Sequence, residues 1–198
     1  SPEGLAIDPV NQTIFWISDG VFSGGVFRAD LDGSNVQSIV NGGFLGSLID
    51  SPDQIVLDVE GQQIFWSDTW SNRLFSANYD GSEDQRILNL SGTPRSLHFD
   101  PYERNLYWSV GDGFNEYELQ RVHVDAVGGN HLSNAALVQS FSDGTSGTPA
   151  GLSVSYTGQT AYITDASADQ ILVYDAVTES ESVLVSSQPG APKGITLG

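Results

Sequence analysis

The chain contains no cysteine and no methionine. Without cysteine it can form no disulfide, no zinc ribbon and no thiol nucleophile. Basic residues are scarce: 7 Lys and Arg stand against 25 Asp and Glu, for a formal net charge of −18. Phosphate binding needs a cationic surface, so this balance argues against nucleic acid and against docking on anionic membranes. It suits neutral or cationic partners, and solubility. No apolar run approaches the length of a membrane span, so membrane insertion is not expected. What is present is a globular composition, 39% hydrophobic and 10% aromatic over 198 residues, enough for one domain with a full core.

The dominant feature is an internal repeat. Four segments begin with proline and an apolar strand: PEGLAID from Pro2, PDQIVLD from Pro52, PRSLHFD from Pro94 and PAGLSVS from Pro149. A second strand starts twelve residues after each proline, at Ile14, Ile64, Leu106 and Ala161. Third strands follow from Val26, Leu74, Leu119 and Ile171, then fourth strands reading VQSIV, QRILNL, AALVQSF and SVLVS. The strands are short, rich in β-branched and aromatic residues, and bounded by turn residues. The turns LDGSN and YDGSE place Asp-Gly where a tight hairpin needs positive φ. Nothing reads as a helix of useful length.

Four antiparallel strands repeated at this period predict an all-β propeller. The expected repeats are 2–51, 52–93, 94–148 and 149–191, within a single domain. Residues 192–198, PKGITLG, read as the inner strand of a fifth repeat. That strand competes with Pro2–Asp8 for one slot in a closed four-blade ring. Either one strand is displaced, or the tail pairs with another chain as a homodimer, or the chain is part of a larger ring. Closure is the favoured expectation, because it removes an exposed strand edge. Residues 126–148 form a long insertion containing Gly and Ser in the third repeat.

These segments resemble the YWTD repeats of low-density-lipoprotein-receptor propellers. The residues that carry the resemblance are Pro2 to Asp8, Ile64 to Asp68, and the Leu31 to Ser34 turn. It spans nearly the whole chain, and the fourth repeat is the most degenerate. The resemblance implies a propeller that binds protein ligands outside cells. Family propellers have six blades and are flanked by cysteine-rich modules, whereas here there are four repeats plus a strand. Val110 also stands where Asp68 and Asp165 stand in their copies.

Strand alternation predicts that Leu5 with Ile7, and their equivalents, pack between blades. It also predicts that Ala6, Val56, His98, Ser153 and Thr196 line the central channel. The loops leading into the inner strands share one face with the loops between second and third strands. That face holds Glu3, Asp53, Arg95 and Lys193 beside Phe22, Trp70, Phe114 and Tyr117. Aromatic platforms beside hydrogen-bonding charges suit a sugar or a peptide, although the same aromatics also suit the ends of a core. His98 reads as a ligand group or as a satisfied buried histidine. Asp8, Asp58 and Asp100 read as caps of the turns that follow them.

The expected function is a secreted, non-catalytic binding protein, lectin-like or protein-binding, acting through that face. Sequons at Asn11 and Asn89 fit secretion. One alternative is a gluconolactonase-like, metal-dependent hydrolase, with Glu3, Asp53 and His98 supplying part of a site. Another is an assembly protein that uses its tail strand. The sequence assigns no catalytic residue, no metal-ligand set and no cofactor. The expected partner is a glycan or an extracellular protein.

Overall fold

A computed structural model describes residues 1–20, 24–42, 49–111, 116–126, 136–142, 149–155, 157–186, 190, 192 and 194–195. Its strands fall into four sheets of four. The first holds β1 (Pro2–Asp8), β2 (Thr13–Ser18), β3 (Gly25–Asp30) and β4 (Gln37–Asn41). The second holds β5 (Pro52–Asp58), β6 (Gln63–Asp68), β7 (Arg73–Asn78) and β8 (Gln85–Asn89). The third holds β9 (Thr93–Asp100), β10 (Asn105–Gly111), β11 (Glu116–His123) and β12 (Ala136–Ser142). The fourth holds β13 (Pro149–Val154), β14 (Thr160–Asp165), β15 (Gln170–Asp175) and β16 (Ser180–Val185). Each sheet is an antiparallel meander in chain order, the blade of a β-propeller. Among the described residues the only helical piece is a single 3-10 turn, Val124–Ala126. The strand β12 lies inside the long insertion expected at 126–148.

The blades repeat because their turns repeat. Asp8 Oδ1 accepts from the Val10 and Asn11 amides, both at 2.9 Å. Asp58 Oδ1 accepts from the Gly61 amide, and Asp100 Oδ1 from the Tyr102 amide. These are the turn caps expected at those aspartates. The β3–β4 and β7–β8 hairpins turn at Gly33 and Gly81, both with φ of 83°. There Asp32 and Asp80 accept the amides of Ser34 and Ser82.

The molecule comprises two compact units, Ser1–Leu90 and Ser91–Gly198, each of two blades. In the first unit, one continuous core joins both blades. Phe15, Ile17, Val26 and Val40 of the first blade meet Ile55, Ile64, Trp66 and Phe75 of the second. The second unit repeats the arrangement, with Tyr107 and Leu119 meeting Leu152, Val154, Ile163 and Leu172. A blade thus has two distinct faces. The leading face is a cross-strand row that in the second blade runs Ile55–Trp66–Phe75, with Leu57 and Ile64 beside it. The trailing face carries Phe15, Ile17, Val26 and Val40 in the first blade, and Ala6 packs with them.

Two expectations about the inner strands are corrected by this. Ala6 is half-buried and packs against the core between blades, and Ser153 is buried, so both face protein and not an open channel. Both faces of an inner strand serve blade contacts, because neighbouring blades meet through sheet faces rather than sheet edges. The apolar inner pairs of the second, third and fourth blades are buried or half-buried, as expected, but Leu5 and Ile7 are 59% and 51% exposed.

Candidate functional site

The loop end of the second blade is built from the buried carboxylate of Asp68. Its Oδ2 accepts the amides of Asp50 and Ser51, each at 2.7 Å. Its Oδ1 accepts the amide and hydroxyl of Ser71, each at 2.8 Å. One fully buried side chain therefore fixes both the approach to β5 and the β6–β7 turn. The Thr69 amide and hydroxyl also bond the Ser51 carbonyl. Between Thr69 and Ser71, on this doubly held turn, stands Trp70 with 80% of its surface exposed. A large indole held out into solvent on a rigid turn contributes nothing to the core. It offers flat apolar contact area whose backbone ordering is already met. Asp53, half-buried, lies one residue into β5 at the same blade end, since Pro52 pairs with Asp68.

The other expected site residues fall as follows. Glu3 is exposed at the equivalent end of the first blade and accepts the Ser1 hydroxyl. Beside it the N-terminal ammonium pairs with Asp19. Arg95 is exposed one residue beyond Pro94, whose partner is Val110, at the equivalent end of the third blade. His98 is not at a blade end: it pairs with Tyr107 in the middle of β10 and is half-buried. Burial pulls its imidazole below the ordinary value, and the Asp100 carboxylate opposes this. The backbone of Tyr117 pairs with Gly111 and Phe141. Phe22, Phe114 and Lys193 lie outside the described residues. In the first three blades Glu3, Asp53 and Arg95 stand at the loop end expected of them, and Asp53 shares its blade end with Trp70. Among the described residues no group of three His, Cys, Asp or Glu side chains is placed to hold a metal ion.

At the opposite end of the first unit lies a polar cavity of about 610 Å³, which the sequence reading did not anticipate. Its lining includes Asn11, Thr13, Arg28, Asp30, Tyr79 and Asp80. The Arg28 guanidinium donates to the Tyr79 carbonyl at 3.2 Å. Burial pushes the Tyr79 phenol up, and the carboxylates of Asp8 and Asp58 push it further. Burial works to raise the Asp8 carboxyl, but hydrogen bonds from the Asn11 amide and side chain and from the Val10 amide outweigh it and hold the group below its usual range. The one sequence signal for this cavity was the aromatic before the second Asp-Gly turn.

Both sequon asparagines are exposed. The Asn11 amide donates to Asp8 Oδ2 at 2.8 Å, and the Thr13 hydroxyl donates to the Asn11 carbonyl.

No protein-family model matches the chain. Curated relatives include the protein cueball of Drosophila yakuba, 33% identical over 119 residues, covering 54% of this chain and 18% of that protein. Another is low-density lipoprotein receptor-related protein 1 of Pyricularia oryzae, 29% identical over 119 residues, covering 58% of this chain and 37% of that protein. The chain thus spans well under half the length of these relatives. Among solved structures, a chain in the crystal structure of a nidogen/laminin complex superimposes with a TM-score of 0.80 at 23% identity. That match covers all of this chain and 68% of the solved one. It carries the fold, and the relatives are consistent with the repeat type.

Proposed function

Because the chain is built of YWTD-type propeller repeats, we propose that it is a protein-binding module that acts outside cells and carries no catalysis of its own. The observation that carries this reading is Trp70, 80% exposed on a turn that buried Asp68 holds rigid. Hot spots of protein interfaces are enriched in tryptophan, and rigid presentation lowers the entropy lost on binding. Asp53 at the same blade end adds to the negative charge there, and the strong negative charge of the chain favours a neutral or cationic surface. A chain of this fold crystallised in a nidogen/laminin complex supports a protein partner. The exposed sequons at Asn11 and Asn89 are compatible with secretion. Among the described residues no helix is long and apolar enough to cross a membrane.

The same indole favours a second reading, glycan binding, since a sugar ring stacks on a flat aromatic face. One experiment separates the two. The labelled chain and its Trp70→Ala variant are applied to an array of defined extracellular protein domains and to a glycan array, with and without chelator. The expected result is binding to a defined protein that survives chelator and weakens about 30-fold in the variant, the loss of a hot-spot residue. Binding confined to one glycan family, and lost in the variant, makes the module a lectin. If Trp70→Ala binds as tightly as the parent chain, the site lies elsewhere. Binding lost with chelator turns attention to a metal near Glu3 and Asp53.

A further inference from the structure

The polar cavity of the first unit carries hydrogen-bonding groups that the fold does not use. Its lining runs from Asn11 to Asp80, inside one compact unit and across the junction of that unit's two blades. The hairpin turns engage only one oxygen of each carboxylate in it. Asp30 Oδ2 accepts the Ser34 hydroxyl and the Asn35 side-chain amide, at 3.3 and 2.6 Å. Asp80 Oδ1 accepts the amide and hydroxyl of Ser82, at 2.9 and 2.6 Å. Among the described residues, Asp30 Oδ1 and Asp80 Oδ2 receive no hydrogen bond. Arg28 is half-buried, and its Nη1 donates to the Tyr79 carbonyl across the blade junction. It forms no ion pair among the described residues, so Nε and Nη2 keep their donors. The cavity thus holds unspent donors beside unspent acceptors.

We infer that this cavity is a saccharide subsite that takes a neutral pyranose. A sugar hydroxyl donates and accepts at once, as interleaved guanidinium and carboxylate groups require. A phosphate or sulfate drawn to Arg28 would face Asp30 and Asp80, and a cation drawn to those carboxylates would face Arg28. A volume of about 610 Å³ suits a small molecule, since such sites span roughly 300–1,000 Å³. The walls are already set. Asp8 caps the β1–β2 turn that carries Asn11, and Asp80 caps the β7–β8 hairpin. Little ordering entropy is then lost on binding.

A separate observation points to the same ligand class. Asn11 and Thr13, the two defining residues of the first sequon, both line this cavity. Asn11 Nδ2 spends one of its two hydrogens on Asp8 Oδ2, and an N-linked sugar replaces the other. The sugar therefore has two possible sources. One is a glycan on Asn11 itself, which rests on the extracellular reading above; the other is a saccharide from outside the chain. The site is distinct from Trp70, which stands at the opposite end of the second blade.

The first test uses the chain made in bacteria, with Asn11 unmodified. It is titrated with glucose, galactose, mannose and N-acetylglucosamine to about 20 mM while amide NMR spectra are recorded, a range that reveals a Kd near 1 mM. At least one sugar is expected to shift the amides of residues 11, 28 and 78–80. Arg28→Met and Asp80→Asn should each weaken that binding about tenfold or more, as loss of a hydrogen bond to a charged group does. Asp80→Asn keeps the carbonyl that caps the hairpin, so its effect reads binding and not folding. Trp70→Ala should leave the response unchanged. No shift with any sugar overturns the proposal, as do shifts confined to residues 69–71 or variants that bind as tightly as the parent. Sulfate or lysine shifting the same amides at lower concentration than every sugar overturns it too. None of these results depends on the chain being extracellular. The second test, on the chain secreted from yeast, identifies the source. A glycan on Asn11 together with loss of the response to free sugar assigns the cavity to the chain's own glycan. A bare Asn11, or a glycosylated chain that responds as before, assigns it to a saccharide from outside.

Discussion

The first and second blades present nearly the same leading face to different surroundings. Leu5, Ile7, Ile14, Trp16, Phe27 and Ala29 of one correspond to Ile55, Leu57, Ile64, Trp66, Phe75 and Ala77 of the other. In the second blade this set is the floor of a core; in the first Leu5 and Ile7 are exposed, Ile14, Trp16 and Phe27 are half-buried, and Ala29 is buried. The pair separates what a repeat's sequence specifies from what its neighbours supply. The sequence specifies the strand register, the Trp–Phe stack and the turn caps, all local to the blade. The neighbour supplies burial, and with it most of the stabilisation. Fully burying a large apolar side chain is worth about 1.5–3 kcal/mol, before any cavity term.

The sharpest way to break the comparison is the same substitution in both rows. Trp66→Ala leaves a cavity beneath Phe15 and Phe75, where nothing can relax into the space, and should cost about 3–5 kcal/mol. Trp16→Ala removes a side chain that water already reaches and should cost roughly half as much, scaling with the smaller area lost. Urea unfolding of both variants, measured at a concentration where the chain is monomeric, checks this. Equal costs would mean that the stack on Phe27 or Phe75, and not burial by a neighbour, dominates.

The same logic explains what could be read from the sequence. The strands and blades were legible because the twelve-residue spacing from each proline, and the Asp caps, act within a blade. The exposure of Leu5 was not legible, because Leu5 and Leu152 have the same local pattern and only a neighbour distinguishes them. The placement of Ala6 on a channel failed for a related reason, since alternation gives two faces but does not say what each one meets. Trp70 was legible as a site candidate because it lies between strands, where no core pattern claims it. Its rigidity was not, since Asp50, Ser51 and Ser71 converge on Asp68 from two segments. The polar cavity near Tyr79 was missed because its lining comes from both blades of the unit.

A smaller effect is expected at the loop end, where the blades differ in sequence. Asp68 is buried and receives four hydrogen bonds; its register equivalent in the first blade, Ser18, is half-buried and donates to the Ser1 and Asp19 carbonyls. Asp68→Ala leaves the amides of Asp50, Ser51 and Ser71 without their acceptor and should cost about 2–3 kcal/mol. Ser18→Ala should cost about 1 kcal/mol or less. Hydrogen exchange should show residues 69–71 losing protection in the first variant while the strand amides of β6 keep theirs. Loss of protection through all of β6 would show that Asp68 supports the whole blade and not just the turn that presents Trp70.

The least of these effects is acid sensitivity, and it compares Asp8 with its own amide analogue. Burial works to raise the Asp8 carboxyl, yet donors from Asn11 and Val10 hold it below the 3.8 of an unperturbed aspartate. Asp32, Asp80 and Asp175 are also held low, each mainly by hydrogen bonds from nearby turn residues. A carboxyl whose folded value is depressed contributes stability above its unfolded value and loses it as pH falls through the folded one. From these carboxyls alone, stability should be flat from neutral pH down to about 5, then decline through and below pH 3.8. His98 adds in the same direction at higher pH: its depressed folded value means that protonation, as pH falls below 6.5, favours the unfolded chain. Asp8→Asn keeps the carbonyl that accepts the Val10 and Asn11 amides but replaces the oxygen facing the Asn11 side chain. It should cost about 1 kcal/mol at pH 7, and its cost should shrink as the parent carboxyl becomes protonated in acid. Denaturant midpoints of parent and variant measured from pH 7 to pH 2 should therefore converge. Parallel curves would mean that Asp8 has the same affinity for its proton in the folded and unfolded chains, and that its hydrogen bonds act as neutral turn caps.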